Sequence, residues 1–169
     1  MAETTLPNAD QLRFLVVDDQ PFIRQIVRQV LASAGVVDVE NARNGADAIE
    51  KIRSAVTARS SRKEAGASPK RFDCVIMDLN MDPLNGIYVL KAIRTGTSGA
   101  PRDTPVVILT AHSDDNLVAA GLALDANEFT IKPVSRDGLL SRVRRATSRK
   151  FTLKPKKEYA VVEVPEMVA

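Results

Sequence analysis

At four points in this chain a polar side chain directly follows or closes a run of apolar residues. Asp18 and Asp19 follow Leu15-Val16-Val17, and Asp78 follows Val75-Ile76-Met77. Thr110 closes Val106-Val107-Ile108-Leu109, and Lys132 follows Ile131 and precedes Pro133. Three carboxylates brought to one edge repel each other. A hard divalent cation relieves that repulsion, and Mg²⁺ suits it because it prefers oxygen ligands and keeps several waters. The same ion neutralises an incoming phosphoryl group, and phosphoryl transfer depends mainly on positioning and charge stabilisation. Lys132 supplies a compact positive charge for phosphate oxygens, and Thr110 a hydroxyl donor. Acidic residues often end strands, so Asp78 alone would mean little. The ordered set, each member at the end of its own apolar run, points to a site.

The elements that must bring these residues together are legible in the hydrophobic pattern. Runs at 12–17, 36–40, 72–77, 105–110 and 128–131 read as strands. Several are continuous rather than alternating, as expected when helices cover both faces of a sheet. Between them lie helical patterns. Phe22, Ile26 and Val30 recur every fourth residue, with Pro21 at the start and Gly35 after the end. Ala46, Ile49, Ile52 and Val56 form a second face, and Ile87, Leu90, Ala92 and Ile93 a third. Leu117, Ala120, Leu122 and Leu124 form a fourth, and Leu139, Leu140 and Val143 a fifth. Strand–helix repeated five times implies an α/β fold with a doubly wound, five-stranded parallel sheet. Ligands of such sheets bind beyond the carboxyl ends of the strands, where Asp18, Asp19, Asp78, Thr110 and Lys132 would meet.

Composition excludes other classes. With 169 residues, 44% hydrophobic and 27% charged, the chain reads as one globular domain. No apolar run approaches the roughly 18 residues a membrane span needs, and no signal segment is visible, so a cytoplasmic protein without a membrane span is expected. The single cysteine, Cys74, sits inside an apolar run and offers neither a disulfide nor a Cys-based metal cluster. The single histidine rules out a His-rich metal site. Residues 1–11 read as a flexible leader, 12–147 as the domain, and 57–71 as a basic insert that extends the second helix and then loops. Residues 148–169 read as a basic tail, partly disordered or adding an edge strand. The excess of positive charge lies at this end: net +5 from residue 136 onward, against −2 before it.

The segments Leu15-Val16-Val17-Asp18-Asp19, Val75-Ile76-Met77-Asp78-Leu79-Asn80-Met81, Val107-Ile108-Leu109-Thr110-Ala111 and Ile131-Lys132-Pro133 resemble a response-regulator receiver domain of bacterial two-component signalling. The likeness is to the stand-alone chemotaxis type. It covers roughly residues 12–147 and implies the (βα)5 flavodoxin-like fold. It also implies that Asp78 is the phosphoryl acceptor and that Mg²⁺ is held by Asp18, Asp19, Asp78 and the backbone carbonyl of Asn80. Lys132 would then pair with the Asp78 carboxylate or its phosphate, and Thr110 and Phe129 would act as the switch pair. The implied partner is a histidine kinase or a His-containing phosphotransfer protein, and the chain would catalyse only its own phosphorylation and hydrolysis.

Two departures from the family pattern stand out. The proline after the acceptor is shifted by one, giving Met81-Asp82-Pro83, which adds a carboxylate near the pocket and extends the backbone at Asp82. The insert before the third strand is longer than usual. Residues 148–169 are too few for a DNA-binding domain. Arg142, Arg144, Arg145 and Arg149 motivate an alternative output, anion binding, and Arg145-Ala-Thr-Ser-Arg149 has a spacing compatible with cyclic di-GMP. A further alternative is a phosphate sink that drains a kinase.

Overall fold

The computed structural model describes residues 6–61, 71–111 and 115–165. Five strands, β1 (Arg13–Val17), β2 (Asp38–Ala42), β3 (Cys74–Asp78), β4 (Val106–Thr110) and β5 (Glu128–Ile131), alternate with five helices. These are α1 (Pro21–Ser33), α2 (Gly45–Ser61), α3 (Gly86–Thr95), α4 (Asp115–Ala123) and α5 (Arg136–Ser148). A short sixth helix, α6 (Lys156–Ala160), follows. All neighbouring strands pair in parallel, in the order β2-β1-β3-β4-β5.

The sheet divides the core in two. Leu15, Val17, Val75, Met77 and Ile108 point to one side and pack with α2, α3 and α4. Phe14, Val16, Ile76, Val107 and Leu109 point to the other and pack with Val27 and Leu31 of α1 and Leu139, Leu140 and Val143 of α5. Alternate side chains are apolar on both faces, which is why these runs are continuous in the sequence. The fold is the expected doubly wound α/β sheet.

Several expectations shift. The second strand starts two residues late, because Val36 is buried closing the turn after α1, its N–H donating to the Leu31 carbonyl at 3.1 Å. Gly35 turns there with φ +97°, a conformation that favours glycine. Phe22 is exposed, and Val27 and Leu31 take the buried face of α1. Leu122 faces solvent, because Leu117 and Ala120 carry the buried face of α4 and Leu124 is buried just after its end. The leader is packed from Leu6 onward: Leu6 and Ala9 are buried in the α1/α5 core, and a 3-10 turn spans Ala9–Gln11. Of the insert, α2 runs on to Ser61, and residues 62–70 lie outside the described residues.

Among its described residues the tail adds no edge strand. The sheet's edges are β2 and β5, whereas α6 packs on α3, against one face. Two carbonyl groups beyond α6 find partners in side chains of α3 and its cap instead of a strand: Lys91 Nζ donates to the Val162 carbonyl at 2.7 Å, and Asn85 Nδ2 to that of Pro165 at 2.9 Å.

Candidate functional site

β1 and β3 are adjacent and parallel, with Val17 opposite Met77, so Asp18 and Asp78 emerge side by side at the same edge. β4 flanks β3 with Asp78 opposite Leu109, which leaves Thr110 one step beyond. β5 flanks β4, and the Lys132 N–H donates to the Thr110 carbonyl at 2.9 Å, fixing where the lysine departs. Sequence-distant residues thus meet because register carries each strand to the same finishing line.

One carboxylate oxygen from each of Asp18, Asp19 and Asp78 lies within 4.8 Å of the others, and this is the one such acidic group among the described residues. Asp18 is wholly buried, Asp78 nearly so, and Asp19 exposed. The Lys132 ammonium stands 3.0 Å from Asp18 Oδ2 and 3.3 Å from Asp78 Oδ2. The Gln20 N–H donates to Asp18 Oδ1 at 2.9 Å, and the Asn80 N–H to Asp78 Oδ1 at 3.4 Å. Arg24, on the first turns of α1, donates to the Asp18 carbonyl at 2.7 Å and pins the β1–α1 junction.

Burial governs the electrostatics. It pushes the Asp78 carboxyl up to about 6, with the Asp18 charge adding to the rise and Lys132 opposing it. Burial also raises the Asp18 carboxyl, against the pull of the Gln20 N–H and Lys132. For Lys132 burial works against the charge, but the Asp18 and Asp78 carboxylates outweigh it and hold the ammonium above its ordinary range. Two buried carboxylates share one cation, so the site carries an excess of negative charge. Its donors are all hard oxygens, with an exposed carboxylate on the solvent side. That set fits Mg²⁺.

The β3–α3 turn is held tightly. A Cβ on Gly86 would run into the Asp78 carbonyl oxygen, and the Gly86 N–H donates to the Leu79 carbonyl at 2.9 Å. Asn85 caps α3, its Oδ1 accepting from the Tyr88 N–H at 3.0 Å. The peptide bonds Asp82–Pro83 and Lys132–Pro133 are both cis. Asp82 is exposed and stands outside the converging carboxylates.

A family model for the response regulator receiver domain matches residues 14–144. The chain belongs to that family. This receiver is 31% identical to the chemotaxis protein CheY of Treponema pallidum over 137 residues, 81% of this chain and 83% of that relative. It is 31% identical to the transcriptional regulatory protein DltR of Streptococcus agalactiae over 136 residues, 80% of this chain but only 52% of the relative. Among solved structures it superposes on chemotaxis protein CheY4 of Vibrio cholerae with a TM-score of 0.63 and 30% identity, over 80% of this chain and 98% of that one. It is a CheY-like receiver of two-component signalling, and no helix among its described residues is long and apolar enough to cross a membrane.

Other expected residues have definite places in the receiver. Thr110 is buried at the end of β4, its hydroxyl donating to the Ala111 carbonyl at 3.1 Å. Phe129 is half-buried against the α4 side of the core, and a Cβ on Gly121 would sit 3.3 Å from its ring. Two of the four arginines in the cluster have internal partners. Arg142 donates to the carbonyls of Phe129 and Gly138, and Arg145 pairs with Glu128 at 2.7 Å. Arg144 and Arg149 are exposed.

Sequence reading missed Arg94. Its side chain is wholly buried in α3 and donates to the carbonyls of Arg102, Thr104, Leu124 and Asp125 and to Asn127 Oδ1, all at 2.7–3.1 Å. Burial lowers its pKa to about 10. A signal existed: Arg94 lies four residues after Leu90 and seven after Ile87, on the apolar stripe of α3.

Proposed function

We propose that Asp78 accepts a phosphoryl group from the phosphohistidine of a histidine kinase or His-containing phosphotransfer protein in the cytoplasm, and that the acyl phosphate resets a protein-binding face. The observation that carries this reading is the convergence of Asp18, Asp19 and Asp78 at one sheet edge, with Lys132 against Asp18 and Asp78. Asp18, Asp19, Asp78 and the Asn80 carbonyl would hold Mg²⁺, which when bound supplies positive charge that stabilises the transferring phosphoryl group.

The chain's own groups do the rest. Above a pH of about 6 Asp78 is a carboxylate and so a competent nucleophile. One of its oxygens forms the new P–O bond as the P–N bond to the donor imidazole breaks, and the imidazole leaves with that electron pair. Lys132, already 3.3 Å from Asp78, is poised to hold phosphoryl oxygens and offset their charge. Hydrolysis of the acyl phosphate by water returns inorganic phosphate and the carboxylate.

For output, the Thr110 hydroxyl turns from the Ala111 carbonyl toward the phosphoryl oxygens, and the space it leaves admits Phe129. The Phe129 ring lies against Gly121, so its movement bears directly on α4. The face formed by α4, β5 and α5 changes accordingly. The arginine cluster gives less support to a cyclic di-GMP site, because Arg142 and Arg145 are engaged internally. Incubation with a radiolabelled small phosphodonor and Mg²⁺ is expected to label the protein. Asp78→Asn is expected to abolish the label, and undiminished labelling of that variant would overturn the assignment.

A further inference from the structure

The segment after α5 has no part in the phosphoacceptor site, yet it is held by several directed contacts. The Phe151 ring lies 4.9 Å from the Arg94 guanidinium, and Arg102 donates to the Lys154 carbonyl at 2.7 Å. Within α6, Tyr159 is fully buried. Its hydroxyl accepts from the Lys154 N–H at 3.1 Å and donates to Asp125 Oδ2 at 2.7 Å. The chain then runs back along α3, with Val162 and Val164 inward and Val161 and Glu163 outward. Lys91 and Asn85 bind the Val162 and Pro165 carbonyls.

The two ends of this segment rest on two different turns. Asp125 lies in the α4–β5 turn, four residues before Phe129, and its backbone is in the left-handed region at φ +54°. Asn85 lies in the β3–α3 turn, next to Gly86, whose backbone abuts the Asp78 carbonyl. One end is therefore tied to the turn before β5 and the other to the turn after Asp78. A hydrogen bond weakens steeply with misalignment, so a segment bonded to both turns fits one relative placement of them best.

We propose that residues 149–165 form an intramolecular strap that is docked on α3 while Asp78 is unmodified and is released when Asp78 is phosphorylated. This rests on the phosphoacceptor reading. Displacement of Phe129 shifts the α4–β5 turn away from the position in which Asp125 meets Tyr159. Release uncovers the α3 face and frees the basic segment for a partner. By reciprocity, a weakened strap favours the phosphorylated conformation.

Hydrogen exchange by mass spectrometry on the full chain tests this, with beryllofluoride and Mg²⁺ as the probe of the acyl-phosphate state. Beryllofluoride is expected to raise exchange within residues 153–165 by about tenfold. Tyr159→Phe, which keeps the ring and loses the bond to Asp125, is expected to exchange faster there without the probe. It is also expected to bind beryllofluoride about fivefold more tightly, in line with typical coupling between sites. Lys91→Met, which releases the Val162 carbonyl and leaves Tyr159 packed, is expected to move both readouts the same way. If the peptides around Asp78, Thr110 and Phe129 respond and the strap does not, the strap proposal is wrong and the phosphoacceptor reading stands. If no peptide responds, both fall.

Discussion

The Lys132 ammonium lies 3.3 Å from Asp78 Oδ2 while also touching the wholly buried Asp18 at 3.0 Å, so a single cation serves two carboxylates. Lys132→Ala leaves both acids facing each other without it. Removing one partner of a buried pair costs several kcal/mol, and the partial exposure of Lys132 reduces this to about 2 kcal/mol at neutral pH. Denaturant unfolding measures that loss. Labelling by a small phosphodonor is expected to slow by at least about tenfold, since the charge that steadies the phosphoryl oxygens is gone.

The raised Asp78 carboxyl makes stability depend on pH. Folded, it titrates at about 6; its ordinary value is 3.8. Between those values the folded protein keeps a proton that the unfolded chain releases, so stability falls as pH rises through the window. The full effect is about 3 kcal/mol for the metal-free protein. Asp78→Asn is expected to flatten this slope and to be the more stable protein above pH 6. Unfolding curves for both, collected across the window with a chelator present, give the comparison. Mg²⁺ is expected to raise the melting temperature more at neutral pH than near the bottom of the window, because protons compete for the same oxygens.

Gly86→Ala tests the fit of the β3–α3 turn. The added methyl meets the Asp78 carbonyl oxygen, which is backbone and cannot swing aside. A loss of about 2 kcal/mol is expected, with phosphodonor labelling reduced beyond what the fraction unfolded explains. Labelling that tracks only the folded fraction would show that the turn does not position the acceptor.

Arg94 is predicted to be structural. Arg94→Met keeps the apolar stem and abandons four carbonyls and Asn127, at a cost of about 3–5 kcal/mol. Arg94→Lys is expected to recover less than half of this, because a single ammonium cannot reproduce the planar fork. Thermal melts of the two variants decide it.

The linear order of residues was enough to establish the five strands, their helices and the parallel sheet. Continuous apolar runs arise only where both faces of a strand are covered, and here α1 and α5 cover one face while α2, α3 and α4 cover the other. The same order revealed Asp18, Asp19, Asp78, Thr110 and Lys132, because parallel strands end at one edge whatever lies between them. What the fold alone decided concerns groups whose partners are far apart in sequence and follow no period. Arg94 finds its acceptors on two separate segments, the α3–β4 loop and the α4–β5 turn, and Arg142 and Arg145 find theirs inside the domain. The tail shows the difference most plainly. Its alternating residues suit a strand, but a strand forms only where a sheet edge is within reach. This segment passes from the end of α5 to α3, where Phe151 lies over Arg94, so Tyr159 goes into the core and the carbonyls beyond it go to Lys91 and Asn85.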